Sequence, residues 1–515
     1  MNYKKCLFYL VSIILIQNAS AEVPDAPRLT LLVDGDFIRI DWVEVEGASG
    51  YTLYYAPYPD PDPISSLDLG AQQSISGTLA NGLAFYVGAT AYNDEGEGDF
   101  SNIESFEIWV DNLYYPPEGK LAVCSFIEPV DSIDVFCEEK DFADYGLGPL
   151  ESFRVTSNTI LVDAAVRRTE LASLSEEDLN NWCAADIGPP VDYATYTSPP
   201  VTGLSDDNRS PISDMGNTLL FGRVHFEYLN QVDAGPMILR SLRGWADART
   251  LMEVDFLTNP GVALDVKTNM FIYILAWNSI RDKEFVSDED RSTIDFYMES
   301  LALKLTYIEG KEWGFDPDGG LDSFNHGWQQ DLALMAYGVL TDNDRYFQRG
   351  IRRFFWILDG LIREDGSHFY ESQRGGAALG YSINATNLLF RMAEIATNQG
   401  FNLYDIEIDG IGLHKIMEFH IAALEDNELI HQYTIYQNPS SCGPVQCENW
   451  DNQGFSYEHN GGFFAFADFE IYKRRFPSSE LVARYDAMFP ESTYTPVIEG
   501  PMIQTCEFRN PNLLL

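Results

Sequence analysis

The chain has 515 residues, 45% of them apolar, and its 33 basic against 79 acidic side chains give a net charge of −46. An acidic excess of that size repels nucleic acid and anionic membranes, while the apolar content is that of a globular chain rather than a disordered one. The acids are dispersed and form no tail, which suits a surface working in salty water, where screening blunts self-repulsion. More than one domain is expected at this length.

Residues 1–21 read as a secretion signal. Lys4 and Lys5 supply the basic start, Cys6 to Ile16 the apolar stretch, and Ala19-Ser20-Ala21 a small-residue cleavage site. The apolar run is short for a bilayer span and no second candidate follows, so the expectation is a secreted or periplasmic chain with no membrane insertion. Six cysteines remain after it: Cys124, Cys137, Cys183, Cys442, Cys447 and Cys506. An even count in an exported chain favours disulfides over metal ligation. Cys442 and Cys447 look like a local staple, and the other four can pair in three ways.

Residues 22–108 alternate in short runs such as Phe37–Trp42, Tyr51–Tyr55 and Ala84–Tyr92, broken by Gly, Pro, Asn and Asp. That spacing predicts an all-β sandwich. Trp42, the Tyr-rich run and Ala91–Ser101 resemble a fibronectin type III module, in which Tyr54, Tyr55 and Tyr58 either pack into the sandwich or stack on sugar rings. Residues 109–199 are a linker and irregular lead-in segment, rich in Pro, Asp and Tyr.

From about residue 217 the period becomes 3.6, predicting helices over 217–230, 236–253, 265–282, 289–308, 327–340, 343–363, 377–399 and 410–424. Short connections make these antiparallel hairpins. The fold class is therefore multidomain, a β-sandwich followed by an all-α (α/α) toroid or incomplete barrel over 200–490, with a C-terminal tail over 491–515.

Two motifs stand inside the helical part. One is Ser-Phe-Asn-His-Gly-Trp-Gln-Gln (323–330), the other Glu-Ser-Gln-Arg-Gly-Gly-Ala-Ala-Leu-Gly-Tyr (371–381). Arg374 follows His326 by 48 residues and precedes Tyr381 by 7. In this order and spacing the two motifs resemble the alginate lyase family, with Ser205–Ser210 similar to its Ser-Asp-x-x-Arg loop segment. The resemblance implies a toroid, no metal or other cofactor, an acidic polysaccharide as partner, and catalytic roles for Asn325, His326, Arg374 and Tyr381. It also implies that Arg209 belongs to the substrate-covering loop and that Glu371 braces Arg374. Trp328 and Gln330 are further substrate-site candidates, Gln330 lying one helical turn beyond His326 and able to orient it. The family's lid tyrosine has no match, and Tyr193 and Tyr196 are the nearest substitutes. Phe324, Ser382-Ile383 and Ala377 depart from the family pattern, which bears on substrate choice.

The residue types suit β-elimination on a 4-linked uronate. C5–H is weakly acidic beside the C6 carboxylate, and its loss builds charge there that donors must stabilise. Asn325 offers amide hydrogens, Arg374 a bidentate cation, His326 a near-neutral imidazole. A phenol, ordinarily protonated below pH about 10, suits protonation of the O4 leaving group, and a nearby cation would let the same group act as base. Arg349, Arg352, Arg353, Arg363 and Arg374 form a basic cluster that would offset the acidic surface. Mannuronate-rich alginate is the first-choice substrate, then glucuronan or another polyuronate. A glycoside hydrolase with two carboxylic acids and a non-catalytic polysaccharide-binding protein are the competing classes. Each residue also has a plain structural role: Asn325 caps a helix, and Arg374 and Tyr381 pair along one face. Asp316–Asp322 alternates carboxylates but lacks the closing Glu of a calcium loop. His414 and His420 are six apart, which does not suit a zinc pair.

Overall fold

The computed structural model describes residues 23–34, 37–58, 61–79, 83–108, 120–126, 135–145, 149–183, 192–252, 254–256, 258–308, 325–374, 378–434, 469–488, 498–499, 502–509 and 511. The signal segment, the 316–322 loop, Phe324, Ala377, Cys442 and Cys447 lie outside the described residues. The chain divides into two compact units, residues 1–109 and 110–515.

Alternation of apolar and polar residues builds the first unit. Its strands are β1 (Leu29–Asp34), β2 (Phe37–Trp42), β3 (Gly50–Pro57), β4 (Ser65–Gly70), β5 (Ser74–Thr78), β6 (Ala84–Asn93), β7 (Gly96–Glu97) and β8 (Glu104–Glu107). One sheet has the order β1-β2-β5; the other runs β4-β3-β6-β7, with β8 also pairing β6. All pairings are antiparallel. Ile40, Trp42, Tyr51, Leu53, Val87, Ala89 and Ala91 are buried between the sheets, and the Trp42 and Tyr51 rings meet 5.5 Å apart across them. Tyr54 packs edge-on against Phe100, whereas Tyr55 and Tyr58 stay exposed.

The second unit opens with structure where the sequence reads as irregular. Strands β9 (Lys120–Phe126) and β10 (Val135–Asp141) form a hairpin in which Cys124 and Cys137 are direct Cα partners. Helices α1 (Ala164–Leu171) and α2 (Glu176–Trp182) follow, each started by a side chain that accepts from first-turn amides, Asp163 and Ser175. Cys183 bonds to Cys506 across 323 residues. A cross-link closing so long a loop contributes about 2–4 kcal/mol. The buried Arg167 adds to the anchorage, donating to the carbonyls of Cys506 (2.7 Å) and Arg509 (2.8 Å).

All eight predicted helices form: α3 (Ser210–Glu227), α4 (Ala234–Asp247), α5 (Pro260–Ile280), α6 (Asp288–Ile308), α7 (Asn325–Thr341), α8 (Asp344–Gly360), α9 (Ala378–Asn398) and α10 (Leu413–Glu425), with α11 (Glu428–Thr434) after them. Their ends differ from the periodic reading for local reasons. Helices α3 and α5 start earlier because Pro211 and Pro260 occupy first-turn positions, where a proline costs no hydrogen bond. Helix α4 stops six residues before the predicted end because Arg249 and Leu251 take positive φ values of 53° and 75°.

Helices α3, α5, α7 and α9 pack side by side in sequence order, each against the next, and are buried on nearly every face. Helices α4, α6 and α8 carry polar outer faces and form a second layer. Gly338 lets α7 and α8 approach, since a Cβ there would collide with the backbone of Phe347. Alternating inner and outer helices leave the four inner helices parallel, so their N-termini lie at one end.

Candidate active site

Polar contacts tie those four N-terminal ends together. Asp206 accepts from the Val262 amide (2.9 Å), and Arg209 donates to the Gly261 carbonyl (2.8 Å) and to Asp265 (3.0 Å), joining the start of α3 to the start of α5. Thr268 on α5 donates to the Gln329 side chain on α7 (2.7 Å). The Asn325 backbone N–H, first in α7, donates to Glu371 Oε1 (2.9 Å). Glu371 Oε2 lies 2.8 Å from Arg374 Nε, a close ion pair rather than an aligned hydrogen bond. The Arg374 guanidinium in turn sits 4.1 Å from the ring centre of Tyr381, in the first turn of α9. The two sequence motifs, 46 residues apart from Asn325 to Glu371, are thus one continuous set of contacts.

The unpaired amides of a helix N-terminus carry about half a positive charge, and Asn325 and Tyr381 lie in the first turns of α7 and α9. Asn325 is 2% exposed, yet its Nδ2 finds no hydrogen-bond partner among the described residues. A buried donor left unmet costs about 1–3 kcal/mol, so an acceptor supplied from outside is favoured there. His326 is half-buried beside it. Arg209 keeps a 39% exposed side chain at the rim.

Trp328 and Gln330 are placed differently from the sequence reading. Both are buried, as Asn325 is, and lie deeper along α7. Gln330 does not orient His326: neither atom of its amide is hydrogen-bonded among the described residues. The separation of four residues is right, but the side chain turns into the packing between helices. Trp328 lies against His368, ring centres 5.5 Å apart.

The basic cluster also dissolves. Arg349 and Arg353 are buried and both point at Asp331 on α7. Arg363 spends its donors on the carbonyls of His368 (2.8 Å) and Phe369 (3.2 Å). Three of the five arginines therefore hold the scaffold. Tyr193 and Tyr196 do not stand in for a lid. The Tyr193 hydroxyl is bonded to His225, four turns down α3, and Arg240 grips both of their carbonyls (2.6 and 3.0 Å).

Below Trp328 lies a pair that sequence reasoning missed as a pair. His368 and His420 stack with ring centres 5.7 Å apart, and His368 Nε2 bonds Thr386 (2.7 Å). Burial pushes both imidazoles down, His420 to about 3, so both are neutral in the fold. The unfolded chain binds their protons near pH 6.5, so this contribution is complete above that value and lost as pH falls toward 3. We expect His420→Leu to reduce the slope of stability between pH 6 and 4 by up to about 1.4 kcal/mol per pH unit. Denaturant midpoints of both proteins across that range check it; parallel curves would contradict it.

Among the described residues no group of three His, Cys, Asp or Glu side chains is placed to hold a metal, and no helix is long and apolar enough to cross a membrane.

Residues 270–430 match the family described as alginate lyase. A curated polysaccharide lyase from Stenotrophomonas maltophilia strain K279a is 27% identical over 186 residues, 35% of this chain and 53% of the relative. The chain thus spans about half the length of the curated relative it matches. Among solved structures, alginate lyase A1-III from Sphingomonas species A1 is similar with a TM-score of 0.57 and 19% identity, covering 71% of this chain and 99% of that one. The A1-III enzyme complexed with a tetrasaccharide gives a TM-score of 0.56 at 20% identity, with the same coverage. At those identities the likeness speaks to the fold of the helical unit.

Proposed function

We propose, from the match of residues 270–430 to the alginate lyase family, that the chain is a polysaccharide lyase cleaving a 4-linked polyuronate by β-elimination. The observation that carries the reading is the buried, unmet amide of Asn325 in one train of contacts with Glu371, Arg374 and Tyr381. A uronate carboxylate brings the acceptor that Asn325 lacks and the charge that Arg374 and the helix ends attract. Proton loss from C5 then builds a second negative charge on that carboxylate, where these donors already stand. His326 and Tyr381 divide the remaining work: one takes the C5 proton, and Tyr381 gives a proton to O4 as the C4–O4 bond breaks. The products are one fragment with a new reducing end and one whose non-reducing end carries the C4=C5 double bond, with no net oxidation.

Mannuronate-rich alginate is the first-choice polymer and glucuronan the next. The chain acts outside the cytoplasm, exported by residues 1–21, and the sandwich unit is a fibronectin type III-like spacer. Its exposed Tyr55 and Tyr58 belong to a unit with Asp68 and Glu97 on the same sheet, an acidic setting that disfavours a polyuronate.

The test is ultraviolet absorbance during incubation with mannuronate-rich alginate, guluronate-rich alginate and glucuronan, with reducing ends assayed in parallel. A rise on one polymer is the expected result and names the substrate. Reducing ends without absorbance would replace elimination by hydrolysis, and neither signal would leave a binding role.

A further inference from the structure

We infer that Arg363 is a positioning residue for this site, holding the hairpin that presents Glu371 and Arg374; the inference rests on the lyase reading above for its kinetic consequence. Residues 361–369 fold back on themselves after α8. Phe369 N–H donates to the Leu361 carbonyl (2.8 Å), Arg363 N–H to that of Ser367 (2.9 Å), and Ile362 bridges His368. The turn needs Gly366, at φ +94°, where a Cβ would also strike the Lys415 carbonyl and Phe419 on α10.

From the near strand Arg363 reaches across this hairpin and beyond it. Its Nη1 donates to the His368 carbonyl (2.8 Å) and to Ser372 Oγ (2.9 Å), and its Nη2 to the Phe369 carbonyl (3.2 Å). Ser372 sits between Glu371 and Arg374 in the single turn that carries both. One guanidinium therefore joins the hairpin to the turn bearing the site. The fork is enclosed by aromatic rings, Phe369 at 4.7 Å and Tyr433 at 4.1 Å. Tyr433, on α11, bonds Asp365, which also accepts from Ser367 N–H (2.9 Å) and Oγ (2.7 Å).

This is geometry that only a planar, multiply donating cation satisfies. A lysine brings the charge but cannot reach two carbonyls and a hydroxyl in one plane. Loosening the fork releases the turn, and an angstrom of drift at Glu371 and Arg374 costs about 100-fold in rate. Arg363 touches no substrate; its effect passes through the residues it holds.

The test compares the full-length protein with Arg363→Met, Arg363→Lys and Tyr433→Leu. Expected are a kcat loss of about 10- to 100-fold per folded molecule for Met, a smaller loss for Lys, and KM within about threefold. Amide exchange should rise in 367–374 while α7 and α9 stay protected. A merely structural role would lower the melting temperature and the active fraction but leave kcat per folded molecule and local exchange unchanged, and would overturn the inference. Should Arg363→Met fail to fold, Tyr433→Leu carries the same reading. If the wild type eliminates no uronan, the lyase reading fails separately. Exchange then decides: protection of 367–374 unchanged in the variants would overturn the positioning role, and a local rise would uphold it.

Discussion

Tyr381→Phe leaves a folded protein whose elimination rate is lower by about 100- to 10,000-fold, the range over which a positioned general acid or base contributes. The folded state tolerates the change because the contact that holds this side chain is made by its ring, against the Arg374 guanidinium at 4.1 Å. Phenylalanine keeps that contact, and the half-buried position spares the core. The change removes only the hydroxyl, the group assigned to O4. KM should stay within about threefold, since the carboxylate donors are untouched and a loss confined to kcat marks an interaction made in the transition state. Initial rates by absorbance, with circular dichroism and melting as controls, check this. A variant retaining a third or more of the rate would move both proton transfers to His326.

The parts of this fold that were legible are those set by local pattern. Eight apolar periods marked eight helices, and strand alternation marked the sandwich. The helix ends were less legible because prolines at first-turn positions and two non-glycine residues at positive φ settle them. At the site, Asn325, Glu371, Arg374 and Tyr381 lie in mutual contact, in keeping with what the family resemblance implies. What the pattern hides is which charge is spent elsewhere. Asp331 lies buried against Arg349 and Arg353 from α8. A signal was present, in two arginines four residues apart within an apolar run, yet their partner is a neighbouring helix. Trp328 and Gln330 mislead for the opposite reason: near the motif, they face inward. The stacking of His368 on His420 depends on two segments 52 residues apart and has no local signature.

Glu371 is where stability and chemistry meet, and its variants have the second large effect. The carboxylate is 1% exposed and serves two partners, the first amide of α7 and the Arg374 guanidinium, itself only 11% exposed. Glu371→Ala strands both. Breaking a buried ion pair from one side costs about 3–5 kcal/mol, and since Arg374 retains some access to water the lower end, about 3 kcal/mol, is expected. Catalysis falls further than stability alone explains, because Asn325 and Arg374 lose their common brace; a decrease in kcat/KM of about 100-fold or more follows. Glu371→Gln separates the two duties. Its amide oxygen can still accept from Asn325 and answer the helix end, whereas its NH2 faces the Arg374 Nε, donor against donor. It should recover part of the stability but little of the activity. Denaturant unfolding and kcat/KM on the responsive uronan read both quantities. If both variants stayed within about 0.5 kcal/mol and threefold of the wild type, Arg374 would need no brace, and the train from α7 to α9 would be packing rather than machinery.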